Sequence, residues 1–488
     1  MNYRTNIYFI SAFLITVAIL LTVPLFIAVF CGEPTWLAFL ITIVIFAALG
    51  IPFVIKKPKD MKLAARDGFF IVAFGWLIIS LIGALPFYIS GALPSYIDAF
   101  FETVSGLTTT GSTVFADVEN LPYSLLYWRS FTQWIGGMGV LVFFLAVLPK
   151  SAKYSIHIFH AESSMSQDIQ IMTKVRYSAR VLYGIYFGLT AAEIVLLLCG
   201  GMNFFDALLT SFTTAGTGGF SPKNASIAAY GSVYCEIVIS VFMLLFSLNF
   251  NLFFLILMKK FLQAFRNEEF LWFLSIVGIS IVAITISLSV TKTYATIWES
   301  LRYSSFVVSS IISTTGYYLA DYTTWPLFTQ YVLFFLMFVG GCAGSSAGGL
   351  KVSRIIILVK GSYRELRKTV NPRKIFYVRS DGKPVDEGLI SAVFGYFVMY
   401  VGVFALSMIL ISLGGKIGTD SIAFVDAVSA VTTALNNVGP AFGSIGAFGY
   451  FGNMSVFAKL VLSFDMLAGR LEILPLVLMF YPKTWRKF

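Results

Sequence analysis

The sequence predicts an all-α polytopic membrane protein. An N-terminal two-helix hairpin is followed by four repeats of long helix, short helix and long helix around a pseudo-fourfold pore. Three observations carry that expectation. The 488 residues are 58% hydrophobic and 12% charged, with a mean hydropathy of +0.85, whereas soluble chains carry roughly a quarter charged residues. Apolar runs near the ~20 residues of a membrane helix recur, without the alternation of outer-membrane strands. A short apolar segment ending in an uncharged polar stretch returns four times.

The hairpin comes first, at residues 1–60. The run "IYFISAFLITVAILLTVPLFIAVF" from Ile7 is too long for a signal-peptide core and shows no small-residue cleavage site. A second span follows at once, from Trp36 to Ile55. The repeats then divide the chain into 61–150, 151–262, 263–370 and 371–488.

Charge orients the spans. The net charge of +10 could suggest nucleic acid, but most Lys and Arg cluster on one side once the spans are laid out. They lie at the N-terminus, in "KKPKDMKLAAR", from Lys150 to Arg180, around Lys259, from Lys351 to Lys383 and in "KTWRKF". That asymmetry is the positive-inside pattern, so both termini are expected in the cytoplasm, the partner is a lipid bilayer, and no nucleic acid is expected. Cys31, Cys199, Cys235 and Cys342 are scattered and show no disulfide or zinc spacing.

The repeats share a register. Asp98 opens "DAFFETVSGLTTTG", Asp206 opens "DALLTSFTTAGTGG" and Asp426 opens "DAVSAVTTALNNVG". Each Asp stands 13 positions before a glycine, namely Gly111, Gly219 and Gly439. The third copy, "YSSFVVSSIISTTG", ends at Gly316 and has Tyr303 in place of Asp. Each segment offers about nine helical residues, or roughly 14 Å, too short for a ~30 Å hydrocarbon core. It must dip in and turn back, which leaves non-helical backbone inside the membrane. An acid at or near the helix start complements its positive end, and the negative end then points at the polar stretch.

Those stretches are Thr109-Thr110-Gly111, Thr217-Gly218-Gly219, Thr314-Thr315-Gly316 and Asn437-Val438-Gly439, and none carries a charge. A dehydrated monovalent cation needs several neutral oxygens that hold it without trapping it, and backbone carbonyls serve. Glycine supplies the left-handed dihedrals that turn them inward. Two adjacent glycines, Gly218 and Gly219, leave two registers open in the second copy.

With its four M1–P–M2 (K+ channel-like) copies, the "TTTGST" and "NNVGPAFG" stretches and the extra hairpin, the chain resembles the superfamily of K+ transporters that includes the Trk, Ktr and plant HKT proteins. It is most similar to the potassium uptake subunit of bacterial Trk systems, over essentially its whole length. The resemblance implies K+ uptake across the bacterial cytoplasmic membrane, with Gly111, Gly219, Gly316 and Gly439 as filter glycines. In that superfamily a serine at a filter glycine goes with sodium permeability, so glycine in all four copies favours K+. It further implies a homodimer and a cytosolic, nucleotide-binding Trk regulatory subunit, docked on the basic segments Lys351–Lys383 and Lys150–Arg180. The chain itself has no G-x-G-x-x-G or P-loop in a strand–helix setting, and no cofactor is expected.

Below the stretches, "FVGGCAGSSAGGLKVSR" interrupts the third returning helix. Gly340, Gly341, Gly344, Gly348 and Gly349, with Ser345 and Ser346, favour an intramembrane loop over small-xxx-small helix packing, since each glycine costs up to about 1 kcal/mol in a helix. The G-x-S-x-G around Ser346 lacks the strand–turn–helix setting of a hydrolase, and the histidines, His157 and His160, lie together in a loop. The resemblance identifies the segment as a gating loop. Arg470, in "VLSFDMLAGRLEILPLVLMF", falls near mid-span, where a charge faces a polar interior. Asp465 and Glu472 are candidate partners, and "AGRLEILP" matches the family's pore arginine. Glu193 in "LTAAEIVLLLCG" is a further intramembrane acid without an assigned role. The competing readings are a secondary transporter with a midplane substrate site and a Na+-permeable relative.

Overall fold

Among the described residues of the computed structural model, which are 3–56, 58, 65–139, 175–418, 420–446 and 448–480, six helices are long and apolar enough to cross a membrane. They are the hairpin pair, Tyr3–Phe30 and Trp36–Ile55, and the leading helix of each repeat, within Asp67–Ile89, Arg180–Cys199, Glu268–Val290 and Glu387–Gly414. Hairpin and repeats together form an all-α polytopic membrane fold. The basic segment 150–174 with His157 and His160, most of "KKPKDMKLAAR" and the C-terminal "KTWRKF" lie outside the described residues.

Helix faces sort by solvent. On Glu268–Val290 the residues Phe273, Val277, Ile284 and Leu288 are buried, while Ile279, Val282, Ile286 and Val290 are exposed. Both sets are apolar, as expected where one face meets protein and the other lipid. The hairpin packs tightly: a Cβ at Gly50 would come 2.9 Å from the Ser11 carbonyl oxygen. Its turn also reaches the first repeat. Glu33 accepts the N–H groups of Tyr123 (2.7 Å) and Ser124 (3.2 Å), placing a carboxylate at the positive end of helix Tyr123–Gly137.

The short helices are longer than the sequence suggested. They run Tyr96–Leu107, Phe204–Gly216, Ile297–Ile312 and Phe424–Asn436, with 12, 13, 16 and 13 residues. None acquires its acid as an N-cap. Asp98, Asp206 and Asp426 each stand in the first turn, and the residues before the helices are Ser95, Asn203 and Ala423. The third helix begins one turn earlier, and its first-turn acid is Glu299, in a capping box with Thr296. Tyr303 therefore does not mark a missing acid; the fixed offset simply looked four residues too late.

The returning helices differ most from expectation. The second, Val233–Ser247, bends by 93° into Phe250–Leu257. The third stops at Val339, and residues 340–351 form no helix before Val352–Val370. The fourth, read from sequence as one helix, stops at Arg470 and restarts at Leu474. Pro475 has no N–H for a continuing helix and its ring would strike the Leu471 carbonyl, so the chain turns through positive φ at Glu472 (59°) and Ile473 (63°).

Candidate functional site

Every short helix runs out into the same backbone pattern. Thr109, Thr217, Thr314 and Asn437 have φ of 57°, 54°, 56° and 54°. Two residues later, Gly111, Gly219, Gly316 and Gly439 have φ of 83°, 76°, 82° and 104°. Left-handed φ is uncommon outside glycine, so its recurrence at one register in four copies is a built feature. It also resolves the second copy: Gly219 aligns with the other glycines, and Gly218 stands where Thr110, Thr315 and Val438 stand.

The four copies form a closed ring. A Cβ on Gly111 would overlap the Gly218 carbonyl oxygen, one on Gly219 that of Thr315, and one on Gly316 that of Val438. One on Gly439 would meet that of Thr110. Repeat one thus abuts two, two abuts three, three abuts four, and four abuts one. The carbonyl oxygen of the residue before each glycine lies against a neighbour's bare Cα. Glycine is required here both by its dihedral and by that close approach. All four glycines line a single cavity of about 340 Å³, together with Ser112, Phe220, Tyr318 and Pro440.

Side chains behind the ring hold it from outside. Gln133 donates to the Gly218 carbonyl (2.8 Å) and accepts the Phe220 N–H (3.1 Å). Asn437 donates to Thr110 Oγ1 (2.9 Å), and Ser112 Oγ to the Gly439 carbonyl (2.9 Å), across the junction of repeats four and one. Thr108 and Thr110 hydroxyls pair at 2.8 Å, and Ser313 and Thr315 repeat that pair at 2.8 Å. The negative helix ends and the ring carbonyls all present neutral oxygens, which suits a weakly held cation.

On the other face of the ring lies the glycine-rich loop. Gly348 N–H donates to Thr314 Oγ1 (2.7 Å), and Gly349 N–H to the Asn436 carbonyl (3.1 Å). Gly340, Gly344 and Gly349 have positive φ. Arg470 donates to the carbonyls of Ser346 (2.7 Å), Gly136 (2.5 Å) and Gly137 (2.6 Å). One guanidinium therefore ties the loop to the C-terminal end of helix Tyr123–Gly137, where carbonyls are unpaired and the dipole is negative. Asp465 is not its counter-ion, because its Oδ1 accepts from Ser407 (2.6 Å) and its Oδ2 has no hydrogen-bond partner. Glu472 pairs with Arg354.

Residues 35–487 match the family model described as TrkH, cation transport protein. The chain belongs to the TrkH family. It is 35% identical to the Trk system potassium uptake protein TrkH of Halomonas elongata over 491 residues, covering 100% of both chains. It is also 35% identical to the Escherichia coli K12 protein of the same description over 448 residues, 91% of each. The crystal structure of the potassium transporter TrkH from Vibrio parahaemolyticus superposes with a TM-score of 0.88 at 32% identity, covering 100% of both chains.

Several residues of this TrkH-family site escaped the sequence reading. Glu269 Oε1 accepts from Ala343 N–H (2.7 Å) and Ser353 N–H (3.1 Å), clasping the glycine-rich loop at both ends. Its signal was an acid opening a long apolar helix, which reads equally well as a helix-start acid. Lys351 is buried and donates to the Ala347 carbonyl within the loop. Lys459 was not singled out either; it pairs at 2.5 Å with Asp98, the helix-start acid of the first repeat, joining repeats one and four. Beside the cavity, Asp117 accepts from the Asn224 side chain (2.7 Å), which holds its carboxyl below the ordinary range.

Proposed function

We propose that the chain carries K+ across the bacterial cytoplasmic membrane through the carbonyl ring, under control of the glycine-rich loop. The filter consists of Thr109, Thr110, Gly111, Thr217, Gly218, Gly219, Thr314, Thr315, Gly316, Asn437, Val438 and Gly439. The gate consists of Gly340, Gly341, Gly344, Ser345, Ser346, Gly348 and Gly349 with Arg470. The observation that carries this reading is the cyclic set of four glycine–carbonyl contacts, which gathers uncharged oxygens from all four repeats on one axis. A cation stripped of water finds carbonyls there, and no full charge at the ring traps it. Relatives described as potassium uptake proteins support K+ as that cation.

Arg470 adds a fixed positive charge on the loop side, which raises the barrier to cations until the loop moves. Residues 340–351 occupy that position without helical hydrogen bonds; discrete bonds to Ser247, Phe246, Phe250, Thr314, Asn436 and Glu269 hold them, and opening breaks these. A second copy of the chain and a separate cytosolic, nucleotide-binding Trk subunit complete the assembly, with the basic segment 351–383 as the docking surface. Purified protein in liposomes tests the proposal by comparing K+, Rb+ and Na+ fluxes. K+ and Rb+ should pass well ahead of Na+. Equal fluxes of all three, or competition by an amino acid or sugar, would overturn it.

A further inference from the structure

Around the ring, the four junctions between repeats are braced by different chemistry. Junction four–one uses Ser112 and Asn437. Junction three–four uses Tyr322, whose hydroxyl donates to the Ala441 carbonyl (2.9 Å). Junction two–three uses Tyr317, whose hydroxyl meets Thr213 and the Thr210 carbonyl. Junction one–two is bridged from a buried ion pair within repeat one. Ion pairs also cross junctions four–one (Asp98–Lys459) and two–three (Glu236–Arg302), but each of those has one partner 20% or more exposed. Arg129 Nε donates to Glu102 Oε1 at 2.6 Å, and their side chains are 4% and 0% exposed. Nine positions before each ring glycine, where the first helix has Glu102, the others have Thr210, Val307 and Ala430.

The pair reaches both filter quarters just beyond their glycines. Glu102 Oε2 accepts the Val114 N–H (2.9 Å), and the carboxylate accepts from Thr113 Oγ1 at 3.1 Å. These are two and three residues past Gly111. Arg129 Nη1 donates to the Ser221 carbonyl (3.1 Å), two residues past Gly219, and its guanidinium lies 3.7 Å over the Phe220 ring. One end of the brace thus grips the exit strand of the first quarter, and the other grips that of the second. Between them lies the Gly111–Gly218 approach of the ring itself.

We propose that Glu102 and Arg129 are positioning residues that set the ion selectivity of the ring by fixing the spacing between its first and second quarters. This rests on the reading of the ring as a K+ filter. A buried ion pair adds little net stability over an apolar pair of equal volume, so stability alone does not account for it. Its forked geometry does fix distance: the guanidinium holds a carboxylate and a carbonyl at once, as a lysine ammonium does not. Discrimination among cations depends on cavity size or on the number and field of the carbonyls. Both change once two quarters can separate. The pair touches no ion and acts through the backbone it holds.

The test uses Arg129→Lys and Glu102→Gln in full-length protein reconstituted in liposomes, with the Na+/K+ permeability ratio and the thermal midpoint read on each. Thr113→Val serves as a milder third variant that removes only the hydroxyl contact. Wild type must first prefer K+; if it does not, the filter reading fails and this proposal with it. Given a selective wild type, Arg129→Lys should raise the Na+/K+ ratio by about tenfold, the weight of one charge-assisted hydrogen bond, while K+ flux persists. Glu102→Gln should shift it in the same direction, and Thr113→Val by less. Folded Arg129→Lys or Glu102→Gln protein with an unchanged ratio overturns the proposal. If both fail to fold, an unchanged ratio in Thr113→Val overturns it.

Discussion

A Cβ at Gly439 would sit 2.5 Å from the Thr110 carbonyl oxygen, the contact that closes the ring between the fourth repeat and the first. The φ of 104° at Gly439 is itself hostile to any L side chain. Gly439→Ala should therefore displace the Thr110 carbonyl and lower K+ uptake by at least about tenfold, with membrane insertion intact; a backbone clash of this kind costs on the order of 1–3 kcal/mol. Growth of an uptake-deficient host at low K+, compared with Gly184→Ala, where nothing lies within 4 Å of the added methyl, measures it. Normal growth of Gly439→Ala would remove the ring from the transport path.

Arg470 is held by three backbone carbonyls, one of them in the loop. Arg470→Ala should release Ser346 and remove the fixed charge, raising K+ flux several-fold at the weight of about 1.5–3 kcal/mol per charged hydrogen bond. Arg470→Lys, which keeps the charge without the fork, should lie between. Flux unchanged in both would take Arg470 out of the barrier.

Glu269 clasps the loop through Ala343 and Ser353. Glu269→Ala leaves two N–H groups without that acceptor, at about 1–3 kcal/mol each, and the loop should loosen. Cys342 reports on it, being fully buried in the same loop. With Cys31, Cys199 and Cys235 replaced, a water-soluble maleimide should label Cys342 faster in Glu269→Ala than in Glu269→Gln. Equal labelling rates would argue against the clasp.

Glu193 is buried, and neither carboxylate oxygen has a hydrogen-bond partner. An ionised group in that setting costs several kcal/mol. Its neutral isostere should therefore be accepted: Glu193→Gln should insert and transport within about twofold of wild type, and Glu193→Lys should fail to accumulate in the membrane. Loss of transport in a normally inserted Glu193→Gln would instead show a cation-binding role for the carboxylate.

Asp117, beside the cavity, has its carboxyl lowered chiefly by the Asn224 hydrogen bond. The stabilisation this brings is complete above the ordinary aspartate pKa of about 3.9. It is lost as pH falls through the lower folded value. Asn224→Ala should move the Asp117 midpoint back up toward the ordinary range, read by carbon NMR of labelled aspartate. An unmoved midpoint would assign the shift to the backbone donors of Glu119 and Asn120 and to the Asn120 side chain.

Much of the architecture was legible in the residues. Apolar runs marked the hairpin and the leading helices because a membrane demands length and composition from any helix that crosses it. The glycine at the end of each short segment was visible because left-handed backbone at a close approach leaves few alternatives. The loop 340–351 was legible through glycine density alone. The acid of the third short helix was not, since Glu299 moved one turn upstream with the helix start. The break after Arg470 was also missed, although Pro475 gave a local signal that the surrounding apolar run concealed.

What the sequence determined by itself was the set of local necessities: an apolar hairpin and a leading span in each repeat, four turns into left-handed backbone, and uncharged oxygens at each. Only the tertiary structure decided which carbonyl meets which glycine, and so the order of repeats around the ring and the register of Gly219. It alone brought Arg470 to the carbonyls of Gly136, Gly137 and Ser346, and Glu102 with Arg129 to two different quarters. The reason is physical. Helix length and glycine conformation are set by the chain's own neighbours and solvent, whereas these contacts join residues scores to hundreds of positions apart and depend on how four similar units close into one ring.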